Sequence, residues 1–339
     1  MAGPTTNAKK SLMRGASRLA RSLDVVSPKA GDLLRRVYYK PRTSAGDGYV
    51  ELLGKNYRVV QSEKDADSRR MGIYLRGACD LPALLTMAPL VGRHLVGTCA
   101  ISRDPIMISG SRSDLLLQTL GGLDDVPAQA LAEVSEMLHL GKRYFSSDPF
   151  DPTFEVMGAK GPETFTKDVV ALSTAPDFSR TLYRHREHGF LVDPGGFWLN
   201  HSIDSALQDM EAVTWFNKTF KSAGKLTGEQ FSESFGRLVT EFKERTGAHI
   251  LVINMLTVDP SDLTHNYRLV KHADNARRRE LTVRLSELSR THDIDVIDVD
   301  RILKLGGIEE QVDFAHFSEQ QFKPVAAEVY RILKAREII

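Results

Sequence analysis

Five short apolar runs, rich in β-branched residues and bounded by glycine or polar residues, most constrain how this 339-residue chain can fold. Runs of this length and composition are typical of strands buried on both faces, as in a parallel sheet. They lie at Ile73–Leu75, His94–Ile101, Val169–Ser173, Ile250–Met255 and Val296–Val299. The sequence therefore predicts a five-stranded, mostly parallel sheet.

Helical patterns separate these runs. They cover Leu81–Leu90, Asp204–Ala223, Gly228–Thr246, Ala273–His292 and Glu319–Arg336. Ser318 and Gln321 form a predicted capping box at the start of the last helix. Because strand–helix–strand connections are right-handed and place helices on the sheet faces, the alternation predicts an α/β protein, a three-layer α/β/α sandwich.

Two stretches are longer than simple crossovers need, and both follow the carboxyl end of a predicted strand. Residues 111–166 follow the second strand and contain a predicted helix, Ala128–Leu140, whereas residues 175–203 follow the third and contain a predicted hairpin. Long insertions at this end of a sheet are either lids over a site or decoration. Both interpretations stay open from the sequence.

Composition sets the class of protein. The chain is 42% hydrophobic and has a formal net charge of +1, which gives no argument for a nucleic-acid partner. Two cysteines are too few for a disulfide framework, and no cluster has the spacing of a metal site, so we expect no metal and a reducing, cytoplasmic location. No apolar run approaches the ~20 residues that span a bilayer.

Residues 1–47 are predicted to be an extension before one α/β domain at 48–339. The extension has basic residues alternating with apolar ones before its first acidic residue, Asp24. It could be a solvated, partly disordered tail, an amphipathic helix touching anionic lipid at the inner membrane surface, or a transit peptide. The sequence leaves these three open.

Cys79 follows the first predicted strand, at the turn into a predicted helix. A helix N-terminus favours a thiolate, and backbone N–H groups at such a turn can bind an oxyanion. Free cysteines are more often buried small hydrophobes, and the neighbouring Asp80 opposes a thiolate. Cys99, at the end of the second strand, is the competing thiol.

His316 and Asp313 could complete a catalytic group with Cys79. A neutral imidazole can take the thiol proton, and a carboxylate three residues earlier can accept the other ring N–H. The alternative is two ordinary polar loop residues before a capped helix. Their position before the last helix of an α/β chain favours the catalytic interpretation.

These segments resemble the SGNH (GDSL-type) hydrolase superfamily over about residues 70–335. In that family a serine stands in a Gly-Asp-Ser turn after the first strand, and Asp-x-x-His precedes the final helix. Gly77-Ala78-Cys79-Asp80-Leu81 and Asp313-Phe314-Ala315-His316 stand in those places. The resemblance implies a flavodoxin-like sheet, and the cysteine is similar to a branch associated with bacterial polysaccharide biosynthesis.

The middle motifs of the family have only loose counterparts in this chain. Gly110, or Arg112 and Ser113, could correspond to the oxyanion-hole glycine block, and Thr174 to the asparagine block. Arg76 and Arg112 could hold an anionic group, because a guanidinium offers a bidentate fork. The chain also lacks the glycine-rich phosphate and dinucleotide motifs, which argues against a plain nucleotide-binding protein.

The expected function is an esterase or acyltransferase acting on a carbohydrate-linked ester through Cys79, His316 and Asp313. No cofactor is expected to be required, although acyl-CoA could be the acyl donor, and the partners would be a carbohydrate or an acylated small molecule. The rival is a catalytically silent module of the same fold that binds a glycan or a partner in surface-polysaccharide assembly.

Overall fold

The structure is a computed structural model of the chain. It describes residues 49–52, 56–59, 71–77, 81, 95–99, 112–138, 140, 144–146, 148–158, 161–194, 203, 207, 209–257, 275–306 and 319–338. The sequence predictions for residues 1–47, the helix Leu81–Leu90 beyond Leu81 itself, the capping box at Ser318, and Cys79, Gly110, Asp313 and His316 lie outside this described part.

The described strands fall into one large sheet and three small ones. In chain order they are β1 (Tyr49–Leu52), β2 (Asn56–Val59), β3 (Met71–Arg76), β4 (Leu95–Cys99), β5 (Thr153–Gly158), β6 (Gly161–Thr166), β7 (Val169–Ser173), β8 (Leu182–His185), β9 (Leu191–Val192), β10 (Phe220–Gly224), β11 (His249–Ile253) and β12 (Asp295–Ile297). Hairpins β1–β2 and β5–β6 and the sheet β10-β8-β9 are antiparallel.

The described helices connect or flank these strands. They are α1 (Ser113–Leu117), α2 (Ala128–Met137), α3 (Ala175–Ser179), α4 (Met210–Thr219), α5 (Gly228–Thr246), α6 (Asn275–Thr291), α7 (Val299–Gly306) and α8 (Glu319–Ala335). Helix α5 has the sequence signals of a stable helix, because Thr227 and Gln230 form a capping box and Gly247 ends it with a positive φ of 67°.

The large sheet is parallel and has the order β12-β11-β7-β3-β4. Numbered along the chain, these strands stand in the order 2-1-3-4-5 when counted from β4, which is the doubly wound order of flavodoxin-like folds. The predicted α/β class, with a parallel sheet, flanking helices and insertions after the second and third strands, is confirmed.

Alternate side chains of the sheet build its two packed faces. On one face Tyr74, Val170, Leu172, Ile250 and Val252 pack with apolar residues of α5 and α6. The intervening residues of the same strands, such as Leu75 and Leu251, are also fully buried. Helix α8 contacts β12 and α7. Burial on both faces explains why these strands appear in the sequence as continuous apolar runs.

The insertions after β4 and β7 together form a smaller body with its own core. Its buried residues come from α2, α4 and the sheet β10-β8-β9, and they are Val134, Leu138, Leu140, Phe190, Val192, Phe216 and Phe220. The predicted hairpin at residues 181–192 is present as β8 and β9. The Gln118 side chain extends this sheet, because it exchanges two hydrogen bonds, of 3.1 and 2.5 Å, with the backbone of Leu191.

Two element predictions are corrected by the structure. The predicted helix Asp204–Ala223 is wrong beyond Thr219, because Phe220 is buried in the smaller core and its backbone pairs with β8 as β10. The predicted strand Val296–Val299 ends at Ile297, because the Asp298 carboxylate accepts from the Arg301 N–H and α7 begins at Val299.

We expect Phe242→Ala to lower the free energy of unfolding by about 3–5 kcal/mol, because it empties the centre of the main core. Phe242 is fully buried, and its ring lies 4.6 Å from that of Phe150 and 6.3 Å from that of Tyr74. Val283→Ala, at a helix position 59% exposed, is the control and should change stability by about 0.5 kcal/mol or less. Urea unfolding measures both, and equal effects would contradict this packing.

Candidate functional site

The strand order places a topological switch point between β3 and β7. From β3 the chain continues to β4 on one side, whereas β7 lies on the other side, and doubly wound sheets bind their ligands outside the carboxyl ends of two such strands. Arg76 is the last residue of β3 and is in register with Leu172 of β7. Cys79 follows three residues later, so its Cα lies within about 11 Å of that of Arg76 by chain length alone.

Gly77 packs directly against the end of β7. A Cβ at position 77 would overlap the Ser173 Cβ and would lie 2.6 Å from Leu81 Cδ1, so only glycine fits this approach. Gly77 and Leu81 are both buried. These two buried residues flank, in the sequence, the segment that contains Cys79.

Thr174 joins the ends of β7 and β11. Its N–H and its hydroxyl both donate to the Ile253 carbonyl, at 3.1 and 3.2 Å, and the residue is fully buried. An oxyanion bound by Thr174, as the sequence suggests, would have to displace one of these two hydrogen bonds. The structure therefore gives Thr174 a role in joining strands.

Ser113 binds a buried carboxyl group that the sequence analysis missed. Its N–H donates to Asp177 Oδ1 at 2.9 Å, and its Oγ lies 2.5 Å from the same oxygen. The Ser113 Oγ also lies 2.7 Å from Ser234 Oγ, which is 2.7 Å from the Gln230 carbonyl oxygen. These contacts link α3, α1 and α5 behind the end of β7.

The number of protons in this series indicates that Asp177 is neutral. The three oxygen–oxygen contacts need three protons, the two serine hydroxyls supply two, and the Gln230 carbonyl supplies none. A proton on Asp177 completes the series. Burial raises the pKa of Asp177 to about 7, although the hydrogen bonds from Ser113 oppose this rise.

Arg112, predicted as a possible anion ligand, donates its hydrogen bonds to groups within the protein. It is 2% exposed, and Nε and Nη2 donate to the Asp114 carboxylate at 2.9 and 2.6 Å. Nη1 donates to the carbonyls of Arg180 and Gly224 at 3.1 and 2.6 Å. The prediction that Arg112 binds substrate is therefore corrected, because its donors hold α1, α3 and β10 together.

Arg76 differs from Arg112. It is half-buried, its Nε is buried without a hydrogen-bond partner, and no described carboxylate forms an ion pair with it. Its guanidinium carbon lies 5.7 Å from the centre of the Tyr74 ring. Of the predicted polar residues that the structure describes at this edge, Arg76 is the one with an unused buried donor.

Asn254, at the end of β11, is also structural. Its Nδ2 donates to Asp298 Oδ1 at 2.8 Å, and its Oδ1 accepts from the Val299 N–H at 2.8 Å. It therefore joins β11 to the start of α7. Cys99 ends β4, where its backbone is in register with Leu75 of β3.

Among the described residues, no group of three or more His, Cys, Asp or Glu side chains could hold a metal ion. No helix in the described ranges combines the length and apolar character needed to cross a bilayer.

No protein-family model and no curated protein sequence matches the chain. Solved structures of acylhydrolases and SGNH hydrolases are similar to it. A lipase/acylhydrolase from Enterococcus faecalis has a TM-score of 0.38 and 14% identity, and the match covers 78% of this chain and 96% of that one. A protein assigned to the SGNH hydrolases, from Slackia heliotrinireducens, has a TM-score of 0.36 and 10% identity, with 78% and 98% covered.

A carbohydrate acetylesterase from Sinorhizobium meliloti has a TM-score of 0.38 and 10% identity, and the match covers 79% of this chain and 100% of that one. TM-scores and identities this low carry no argument about activity. The function proposed below therefore rests on the residues of this chain and on the place of the switch point.

We expect Arg112→Gln to lower the free energy of unfolding by about 3–5 kcal/mol, because it leaves two carbonyls and a largely shielded carboxylate without their donor. The matched control is Arg245→Gln, which removes an exposed i,i+4 ion pair with Glu241 and should cost about 0.5 kcal/mol or less. Urea unfolding compares the two. A small change in the free energy of unfolding for Arg112→Gln would mean that the Arg112 guanidinium is available to bind substrate.

We also expect stability to depend on pH through Asp177. Because the pKa of Asp177 is raised from 3.8 to about 7, between these values the folded state keeps a proton that the unfolded state has released. The free energy of unfolding therefore falls as pH rises through this window. Asp177→Asn removes this dependence. The free energy of unfolding of the variant minus that of wild type should therefore increase as pH rises from 5 to 8. A constant difference in urea unfolding would mean that Asp177 is ionised throughout.

Proposed function

We propose that this protein is an SGNH-like esterase or acyltransferase that acts on a carbohydrate-linked ester with Cys79 as nucleophile. The observation that carries the proposal is the position of the carboxyl end of β3 at the switch point, with Gly77 packed against Ser173. Ligands of doubly wound sheets bind in the crevice at such a point. Cys79 belongs to the segment that leads out of it.

In the proposed reaction, His316 takes the thiol proton of Cys79, and Asp313 accepts the other ring N–H and orients the imidazole. The sulfur bonds to the acyl carbon of an ester or thioester, and the leaving alcohol or thiol departs with the proton from His316. Water or a sugar hydroxyl then attacks the thioester and gives its proton to His316. The proton returns to sulfur as the acyl group leaves.

The described candidates for an oxyanion hole already donate hydrogen bonds to other groups of the protein, which favours different hydrogen-bond donors for the acyl oxygen. Ser113 and Thr174 already bond Asp177 and Ile253, so the acyl oxygen would be held by backbone N–H groups after Cys79, at the start of the predicted helix. The acyl donor would be an ester or a thioester such as acyl-CoA. The acceptor would be water for an esterase and a sugar hydroxyl for a transferase.

A second candidate function is a catalytically silent module of the same fold that binds a glycan or an assembly partner. The observation that favours it is that Ser113 and Thr174 both donate to protein groups. Such a module would bind an acylated sugar without turning it over. It would also bind equally well without the Cys79 sulfur.

We expect Cys79→Ala to abolish ester turnover, by about a thousandfold or more, because the acyl-enzyme cannot form. Cys99→Ser is the matched control and should keep activity. Incubation with an activated acetyl ester, followed by mass spectrometry of peptides, should place the acetyl group on Cys79 in wild type and in Cys99→Ser. His316→Ala should slow acylation by about 10²–10⁴-fold.

An acetyl group found on Cys99 would show that Cys99, at the end of the second strand of the large sheet, is the nucleophile instead of Cys79. Wild-type protein that turns over no ester, but binds an acetylated oligosaccharide equally before and after Cys79→Ala, would support the silent module.

A further inference from the structure

Two cationic side chains share one aromatic ring beneath the switch point. Lys167 Nζ lies 4.1 Å from the centre of the Tyr74 ring, and the Arg76 guanidinium carbon lies 5.7 Å from it. Tyr74 and Arg76 belong to β3 and are two residues apart, so they lie on the same face of the sheet. Ring contacts of this kind stabilise a cation but do not neutralise it.

The hydrogen bonds of the two cations differ. Lys167 is 2% exposed, and its Nζ donates to the Pro149 carbonyl at 2.5 Å. Arg76 has five N–H donors, and its Nε is buried with no partner. Of the buried arginines of the described part, Arg112 donates to Asp114 and two carbonyls, and Arg278 donates to the Leu256 carbonyl. Arg180 Nη1 also lacks a hydrogen-bond partner, but it lies 3.8 Å from the Asp193 carboxylate, whereas no described carboxylate forms an ion pair with Arg76.

The two positive charges are close enough to affect each other. Burial, followed by the charge of Arg76, lowers the pKa of Lys167 to about 8, whereas Asp151 and Asp148 act in the opposite direction. Neither carboxylate forms an ion pair with Arg76. Among the described residues, the carboxyl end of β3 therefore carries a local excess of positive charge, and a buried unpaired donor is costly unless something binds it.

We infer that Arg76 binds an anionic group of the ligand, a carboxylate or a phosphate, in the crevice outside β3. The inference deepens the proposed function and rests on it for the identity of the reaction, because it makes the substrate of Cys79 an ester that carries a negative charge. A guanidinium is suited to this task, since it pairs with two oxygens of one oxyanion. Arg76 then selects the substrate and positions it.

Anion binding can be measured without any turnover. Calorimetric titration of the full chain with inorganic phosphate and with succinate should show binding of at least one of them, and Arg76→Gln should weaken it about tenfold or more. Arg237→Gln, an exposed arginine on α5, is the matched control and should leave the affinity unchanged. The stronger of the two anions identifies the group.

Arg76→Lys separates a binding role from a purely structural one. It keeps the charge but loses the fork, so it should keep part of the affinity and bind more weakly than wild type. If Arg76→Gln does not fold, as judged by its thermal transition, this variant supplies the test. Unchanged anion affinity in whichever variant folds, or no binding of either anion by wild type, would overturn the inference.

Turnover distinguishes the inference from the proposed function. The half-ester of succinic acid with phenol carries a carboxylate, whereas phenyl butyrate has nearly the same shape and is neutral. Arg76→Gln should lower kcat/KM for the half-ester about tenfold more than it lowers kcat/KM for phenyl butyrate, mainly through KM. Turnover of both esters with equal losses overturns the inference alone. Arg76-dependent anion binding with no turnover of either ester overturns the proposed function alone.

Discussion

The contact between Gly77 and the end of β7 is the constraint on which the rest of this edge depends. The chain leaves β3 so close to Ser173 that no side chain fits at position 77. Neighbouring parallel strands cannot be joined by a tight turn, and the chain leaves each of them at the same edge of the sheet. The close approach at Gly77 fixes the point where the chain leaves β3, next to the carboxyl end of β7.

Most polar groups at this edge serve the fold. Thr174 and Asn254 join strand ends to their neighbours, Arg112 holds three elements of the insertions, and Ser113 belongs to the series that ends at Asp177. Buried polar groups need partners, so a long, insertion-rich crossover must supply them internally. A polar residue near the end of a strand is therefore weak support for catalysis. Unlike these groups, Arg76 has a buried Nε without a hydrogen-bond partner and no described carboxylate as ion-pair partner.

The sequence predicted the elements well where one physical signal was strong. Val169–Ser173 matches β7 and Gly228–Thr246 matches α5, because continuous apolar runs and a capping box have few alternative structures. It failed where tertiary contacts decide the secondary structure. The helical pattern includes Phe220, but this residue is buried in the smaller core and belongs to a strand. The hairpin β5–β6 and the helix α7 were not predicted. For Arg112 and Thr174 the residue type was informative, but burial and partners determine the role, and spacing does not encode either.

Arg76 connects the two proposals physically. Its Cα lies within about 11 Å of that of Cys79 by chain length, so under the proposed function the guanidinium acts on the thiol within roughly one screening length. A nearby cation favours the thiolate, whereas the adjacent Asp80 opposes it. An anionic ligand on Arg76 would remove part of that help while it holds the ester in place. Substrate binding at Arg76 would therefore stabilise the complex but weaken the stabilisation of the thiolate. A base such as His316 would then be more important once the substrate is bound.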